Sequence, residues 1–192
     1  GQLLASYLLL EGPDGLVLID QHAAHERVLY ERLRSQWLVN GVERQALLIS
    51  ENIDLDIRGA AVLADSDETV RRLGFEIESF GETAVMARAV PAILAGQNPT
   101  LLIRELVAEL AVREPERAGD ISDTRMLSAA DRVFASLACH SARRAGDHLE
   151  VREQESLLEE LDTIPWAPTC PHGRPVAINL PRGEIEHRFR RR

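Results

Sequence analysis

Asp20, His22, His25 and Glu26 stand together in "LVLIDQHAAHERVLYERL", where an apolar run turns into a helical pattern. A helix start needs one capping group, and four titratable side chains exceed that need. His22 and Glu26 are one turn apart, and Leu29, Leu33 and Trp37 continue the same stripe. The stripe is apolar from Leu29 onward, so this side of the helix is expected to face a core. Burying an imidazole and a carboxylate without partners costs roughly several kcal/mol. A divalent metal satisfies both, and His with Glu at i, i+4 is workable ligand spacing. Asp20 ends the strand and reads either as a helix cap or as a carboxylate of the same site. Glu31 lies about 140° around the helix from Glu26 and is expected on another face, near Arg27 or Arg34. His25 is off the stripe, at the rim of a site or exposed. The order H-A-A-H-E is not that of the zinc-protease helices.

The second pair of donors is far along the chain. "TCPHGRP" supplies Cys170 and His172. Residues two apart on an extended chain point the same way, so Cys-x-His stiffened by Pro171 reads as a two-ligand arm. A buried structural cysteine is the alternative. His22, Glu26, Cys170 and His172 together make a set suited to zinc. Cys139, in "LACHSARRAGD", is either core or a further ligand with an acidified thiol. Arg143 and Arg144 beside it suit a phosphate contact or a solvated helix face.

These residues need elements to hold them. "LLASYLLLEGPDGLVLID" predicts strand, turn, strand, with the turn at Gly12 to Gly15. A helix follows from about His22 to Trp37. "QALLIS" and "IDLD" predict two short strands, "IRGAAVLADSDETVRRLG" a helix, and "FEIESFGETAVMARAV" a hairpin turning at Gly81. Asn98 and Pro99 read as the cap and first residue of another helix. "REPERAGDIS" is a polar linker, followed by a long helix from about Asp123 to Ala145 with Gly146 as its stop. "VREQESLLEELDTI" is helical. "PWAPTCPHGRP" has four prolines in eleven residues, which excludes helix. "VAINL" is a last strand and "RGEIEHRFRRR" a short helix or tail. This mixture predicts an α+β fold, or mixed α/β.

Composition narrows the function classes. The 192 residues are 45% hydrophobic, enough for a sizeable core. No apolar run approaches the ~20 residues of a membrane span. The N-terminus shows no basic region or cleavage site, so no signal peptide is expected. The abrupt start just ahead of a strand fits a piece of a longer protein. Two cysteines are too few for a disulfide framework and fit a reducing cytosol. A net charge of −9 makes an autonomous nucleic-acid binder a poor reading.

Several segments together resemble the C-terminal domain of MutL, the DNA mismatch repair family. "DQHAAHERVLYE" fits D-Q-H-A-x2-E-x4-E, the family's endonuclease motif. "ACHSARRAGD" is similar to A-C-H/R/K-x-A-I/V-R/K-A, with Arg143 at a position that is commonly apolar. "CPHGRP" matches fully, and "FRR" from Phe189 to Arg191 matches the terminal F-x-R. The resemblance implies a two-lobed homodimer: a dimerisation lobe of residues 1–22 and 165–192, and an external regulatory lobe of 23–164. It implies metal-dependent nicking of one strand of duplex DNA. Asp20 and Glu26 would be catalytic, with His22, Glu26, Cys139, Cys170 and His172 as metal ligands. Arg143, Arg144 and Arg191 would approach DNA. Zinc would be regulatory or structural, manganese would support nicking, and ATP would act only through a separate N-terminal ATPase domain. Gln45, Leu47 and Leu48 of "QALLIS" resemble the sliding-clamp motif Q-x-L-L/I-x-P, with Ser50 in place of proline. The mismatch-recognition protein MutS is a further implied partner, and the implied location is bacterial cytoplasm at the nucleoid. The rival readings are a non-catalytic dimerisation module with structural zinc, and a small-molecule zinc hydrolase.

Overall fold

The computed structural model describes residues 1–112, 122–142, 148–164 and 169–191. The order of elements is β1 (Gln2–Leu3), β2 (Tyr7–Gly12), β3 (Gly15–Asp20), α1 (Gln21–Val39), β4 (Arg44–Asp54), α2 (Ile57–Asp65), α3 (Asp67–Arg72), β5 (Glu76–Ser79) and β6 (Ala84–Pro91). Then come α4 (Pro99–Leu110), α5 (Ser122–Ser141), α6 (Val151–Thr163), β7 (Ala177–Pro181) and α7 (Arg182–Arg188). Helices and two antiparallel sheets make the fold α+β, as the sequence predicts. Among the described residues, no helix is long and apolar enough to cross a membrane.

The chain forms two compact units, Gly1–Glu31 with Ala142–Arg192, and Arg32–Ser141. The sequence reading divides it after residues 22 and 164. The first unit extends further at both divisions, because Val28, Leu149 and Leu157 share one core with Leu8, Ile19, Cys170 and Val176.

The first unit is built on a sheet of order β1-β2-β3-β7. Leu8 pairs with Ile19, and Ile19 with Ala177, so these side chains line one face. That face packs into the core with Ala23, Ala24 and Val28 of α1. Leu9, Leu18 and Ile178 are likewise in register and alternate onto the other face. The β2–β3 turn closes where Gly12 faces Gly15. Gly15 has φ +148, and a Cβ there would lie 2.2 Å from the Leu180 carbonyl oxygen. Only glycine lets β7 approach this closely.

The second unit carries a sheet of order β4-β6-β5. The two short strands expected at "QALLIS" and "IDLD" are one strand, β4. It leaves register between Ala46 and Glu51 and then pairs with β6 again, so the extra residues form a bulge. The single helix expected after Ile57 is two, α2 and α3, broken at Ser66. α4 begins as read: the Asn98 side chain accepts from the Leu101 N–H, and Pro99 is the first helical residue. Trp37 meets Phe134 edge to face, with ring centroids 6.0 Å apart, and Arg72 lies over the Trp37 ring. α5 is described to Ser141; the expected linker residues 113–121 and the stop at Gly146 lie outside the described residues.

Candidate metal site

β3 runs straight into α1, so Asp20 is both the last residue of a strand and the residue before a helix. Its backbone N–H donates to the Val176 carbonyl at 2.9 Å. Asp20 Oδ1 accepts from the N–H groups of His22 at 2.9 Å and Ala23 at 3.0 Å. The capping half of the alternative is therefore present. It engages Oδ1 and leaves the carboxylate at the head of the DQHAAHE segment.

Glu26 is the centre of the cluster. It is 1% exposed although it carries a carboxylate. Glu26 Oε1 lies 3.1 Å from His22 Nε2, and Oε2 lies 3.6 Å from His172 Nδ1. The Cys170 side chain also hydrogen-bonds it, with the thiol as donor. The Glu26 carboxylate, Cys170 Sγ and a His172 ring nitrogen all lie within 4.8 Å of one another. Burial, and then the carboxylate beside it, push the Cys170 thiol above its ordinary pKa. A raised pKa favours the protonated thiol, which agrees with its donation to Glu26.

Cys170 and His172 converge by a different route from the one expected. The segment is a turn, not an extended arm. Cys170 N–H donates to the Arg174 carbonyl at 2.8 Å, and Gly173 N–H to the Cys170 carbonyl at 2.9 Å. Gly173 takes φ +82, which a side chain would disfavour. The turn buries Cys170 and leaves His172 half open to solvent.

The other sequence-predicted residues separate into groups. Cys139 is half-buried on α5 in the second unit. Arg143 and Arg144 lie outside the described residues. Arg191 is exposed, and its N–H donates to the Glu186 carbonyl at 3.0 Å. Glu31 pairs with Arg27. His25 is half-buried, its Nδ1 2.8 Å from the Gln21 carbonyl. Gln45 is exposed on β4; Leu47 is half-buried, and Leu48 and Ile49 are exposed on the bulge. Sequence reasoning overlooked Gln21, which is fully buried, although it sits inside the quoted motif.

One thiol, two imidazoles and a buried carboxylate form a mixed S/N/O donor set that fits zinc or a similar divalent ion. The fold is an α+β domain with this donor cluster where a strand meets a helix. The family profile described as "MutL C terminal dimerisation domain" matches residues 1–149. The chain is 40% identical over 192 residues to the DNA mismatch repair protein MutL of Rhizorhabdus wittichii, covering 100% of this chain and 31% of that protein. It is 39% identical over 191 residues to the MutL of Geobacter sulfurreducens, covering 100% of this chain and 30% of that one. This chain belongs to the MutL C-terminal dimerisation domain family. It spans about 30% of the length of the curated relatives it matches.

Proposed function

We propose that this domain nicks one strand of duplex DNA in a metal-dependent reaction and does so as a homodimer. The observation that carries the reading is Glu26: a buried carboxylate flanked by His22 and His172 and hydrogen-bonded by Cys170. Nothing in ordinary core packing favours such a group, whereas an ion accounts for all four side chains. The chemistry a bound ion supplies is polarisation of the phosphodiester and activation of water. His22, Glu26, Cys170 and His172 would hold zinc in a structural or regulatory role. Asp20, with one oxygen engaged in the cap, would offer the other to the manganese that supports nicking. The test is conversion of supercoiled plasmid to the nicked circle with manganese. No nicking by the full-length protein under any divalent metal overturns the catalytic reading. It favours the second one, a dimerisation module with structural zinc, which the buried thiol of Cys170 also suits.

Cys170→Ser and His172→Ala are expected to weaken zinc binding by more than the roughly 10–100-fold that follows loss of a ligand-orienting group. Elemental analysis of the purified variants checks this. Unchanged zinc in both excludes the four-residue set.

The homodimer would form through the open face of the four-stranded sheet. Leu3, Tyr7 and Ile178 are exposed there and Leu9, Leu16, Leu18 and Leu180 are half-buried, an apolar array on one face of the sheet. A self-complementary patch of this kind suits a two-fold pair.

A sliding clamp would bind the bulge of β4. Leu48 and Ile49 project there with Gln45 ahead of them on the strand. Charge makes such tethering useful: at −9, the domain meets DNA weakly by itself, and a clamp raises its local concentration. Leu48→Ala is expected to weaken clamp binding roughly tenfold or more. Nicking measured with and without clamp loaded on DNA should lose its stimulation while clamp-free nicking is unchanged. A variant stimulated like the wild type places the clamp elsewhere. In the longer protein, an ATPase domain and the mismatch-recognition protein MutS would direct the same chemistry to the erroneous strand.

A further inference from the structure

The first turn of α1 is tied to the edge of the four-stranded sheet by a pair of amides. Gln21, between Asp20 and His22, is 0% exposed. Gln2 Nε2 donates to Gln21 Oε1 at 2.6 Å. The Gln21 backbone N–H donates to the Ser6 carbonyl at 2.9 Å. Ser6 is presented by Leu4 and Ala5, which take φ 54 and φ 46. Two successive non-glycine residues in the left-handed region persist only where their surroundings fix them, and such strain gathers at functional sites. The Ser6 N–H to the Leu3 carbonyl, at 3.1 Å, and the Ser6 hydroxyl to the Leu4 carbonyl, at 3.0 Å, close this turn. The register Gln2↔Leu8 places Gln2 on the core side of the sheet, beside the helix start.

We propose that Gln2 and Gln21 are a positioning pair that sets how tightly the first turn of α1 holds a divalent metal. The inference rests on the metal site proposed above. Helix ends fray, and their first N–H groups have no partner within the helix. Here Asp20 Oδ1 and the Ser6 carbonyl occupy those groups, and the Gln2 amide grips the first side chain. His22 is the next residue and Glu26 is one turn further. A first turn held at backbone and side chain keeps His22 and Asp20 in place before any ion arrives. Pre-organised ligands then lose less freedom on binding. Breaking the pair removes the bond that ties the first side chain of α1 to the sheet edge, and the turn is then free to move.

The test uses the whole 192-residue chain. Zinc affinity is read by competition with a chromophoric chelator. Cobalt(II) absorption reports ligand geometry, and thermal unfolding of the metal-free protein reports folding. Gln2→Leu is expected to weaken zinc binding by about tenfold or more and to change the cobalt spectrum, which lost stability alone would not do. If that variant unfolds, the double variant Gln2→Leu with Gln21→Leu decides, since it replaces both amides of the pair by apolar groups. Weak zinc binding by the folded double variant supports the pair. Cys170→Ala is the control for the site itself. If Cys170→Ala loses affinity while the glutamine variants match the wild type in both zinc affinity and cobalt spectrum, the positioning pair is overturned and the metal site stands. If Cys170→Ala binds zinc like the wild type, the metal site fails and takes the pair with it.

Discussion

Asp20→Asn is expected to abolish plasmid nicking while the domain stays folded and dimeric. Asparagine is among the best helix caps, so its side-chain oxygen still accepts from the N–H groups of His22 and Ala23. The charge that would engage a metal or water is gone. Activity should fall by more than the roughly 10–100-fold typical of groups that only orient ligands. Asp20→Ala separates the two roles. It removes cap and charge together, and should also cost about 1 kcal/mol of stability. Nicking rate and thermal unfolding of both variants, in the full-length protein, check this. An Asp20→Asn protein that nicks at the wild-type rate removes Asp20 from the chemistry and leaves it a cap alone.

What the sequence shows and what it hides divide along local and non-local causes. The start of α4 is legible because Asn98 and Pro99 act on their own neighbours. The β2–β3 turn is legible for the same reason, from Gly12 to Gly15. β4 is not legible as one strand, because its continuity depends on finding β6 again after the bulge, and no local pattern encodes that. The split at Ser66 is hidden too, because the apolar pattern runs through it and the residue is only mildly unfavourable in a helix. At the site, residue types announce Glu26, Cys170 and His172 as donors. Their convergence, by a turn and not by an extended arm, depends on the bond from Cys170 N–H to the Arg174 carbonyl and on the positive φ of Gly173. Gln21 shows the limit most plainly. Its type suggests solvent, yet it is buried with its side chain bonded to Gln2, nineteen residues away.

Leu18→Asp is expected to convert the domain from dimer to monomer at micromolar concentration with the fold of each chain retained. Leu18 is on β3, an inner strand, and its register partners are Leu9 on β2 and Ile178 on β7. All three lie on the face opposite the Leu8 and Ile19 core, so the substitution leaves the interior untouched. In a single chain Leu18 is only half-buried, and a carboxylate there keeps contact with water. In a two-fold dimer through this face it would be closed off, and symmetry places a second copy in the same interface. An uncompensated charge in such a place costs on the order of 3–5 kcal/mol, which is a factor of about 10²–10³ or more in the dissociation constant. Leu8→Asp is the opposite case. It puts the charge among Ile19, Ala23 and Val28 and should unfold the first unit whatever the oligomeric state. Sedimentation velocity with thermal unfolding separates the two outcomes: Leu18→Asp shifts mass with a retained cooperative transition, and Leu8→Asp loses the transition. A Leu18→Asp protein that remains dimeric at low micromolar concentration assigns the dimer contact to another surface.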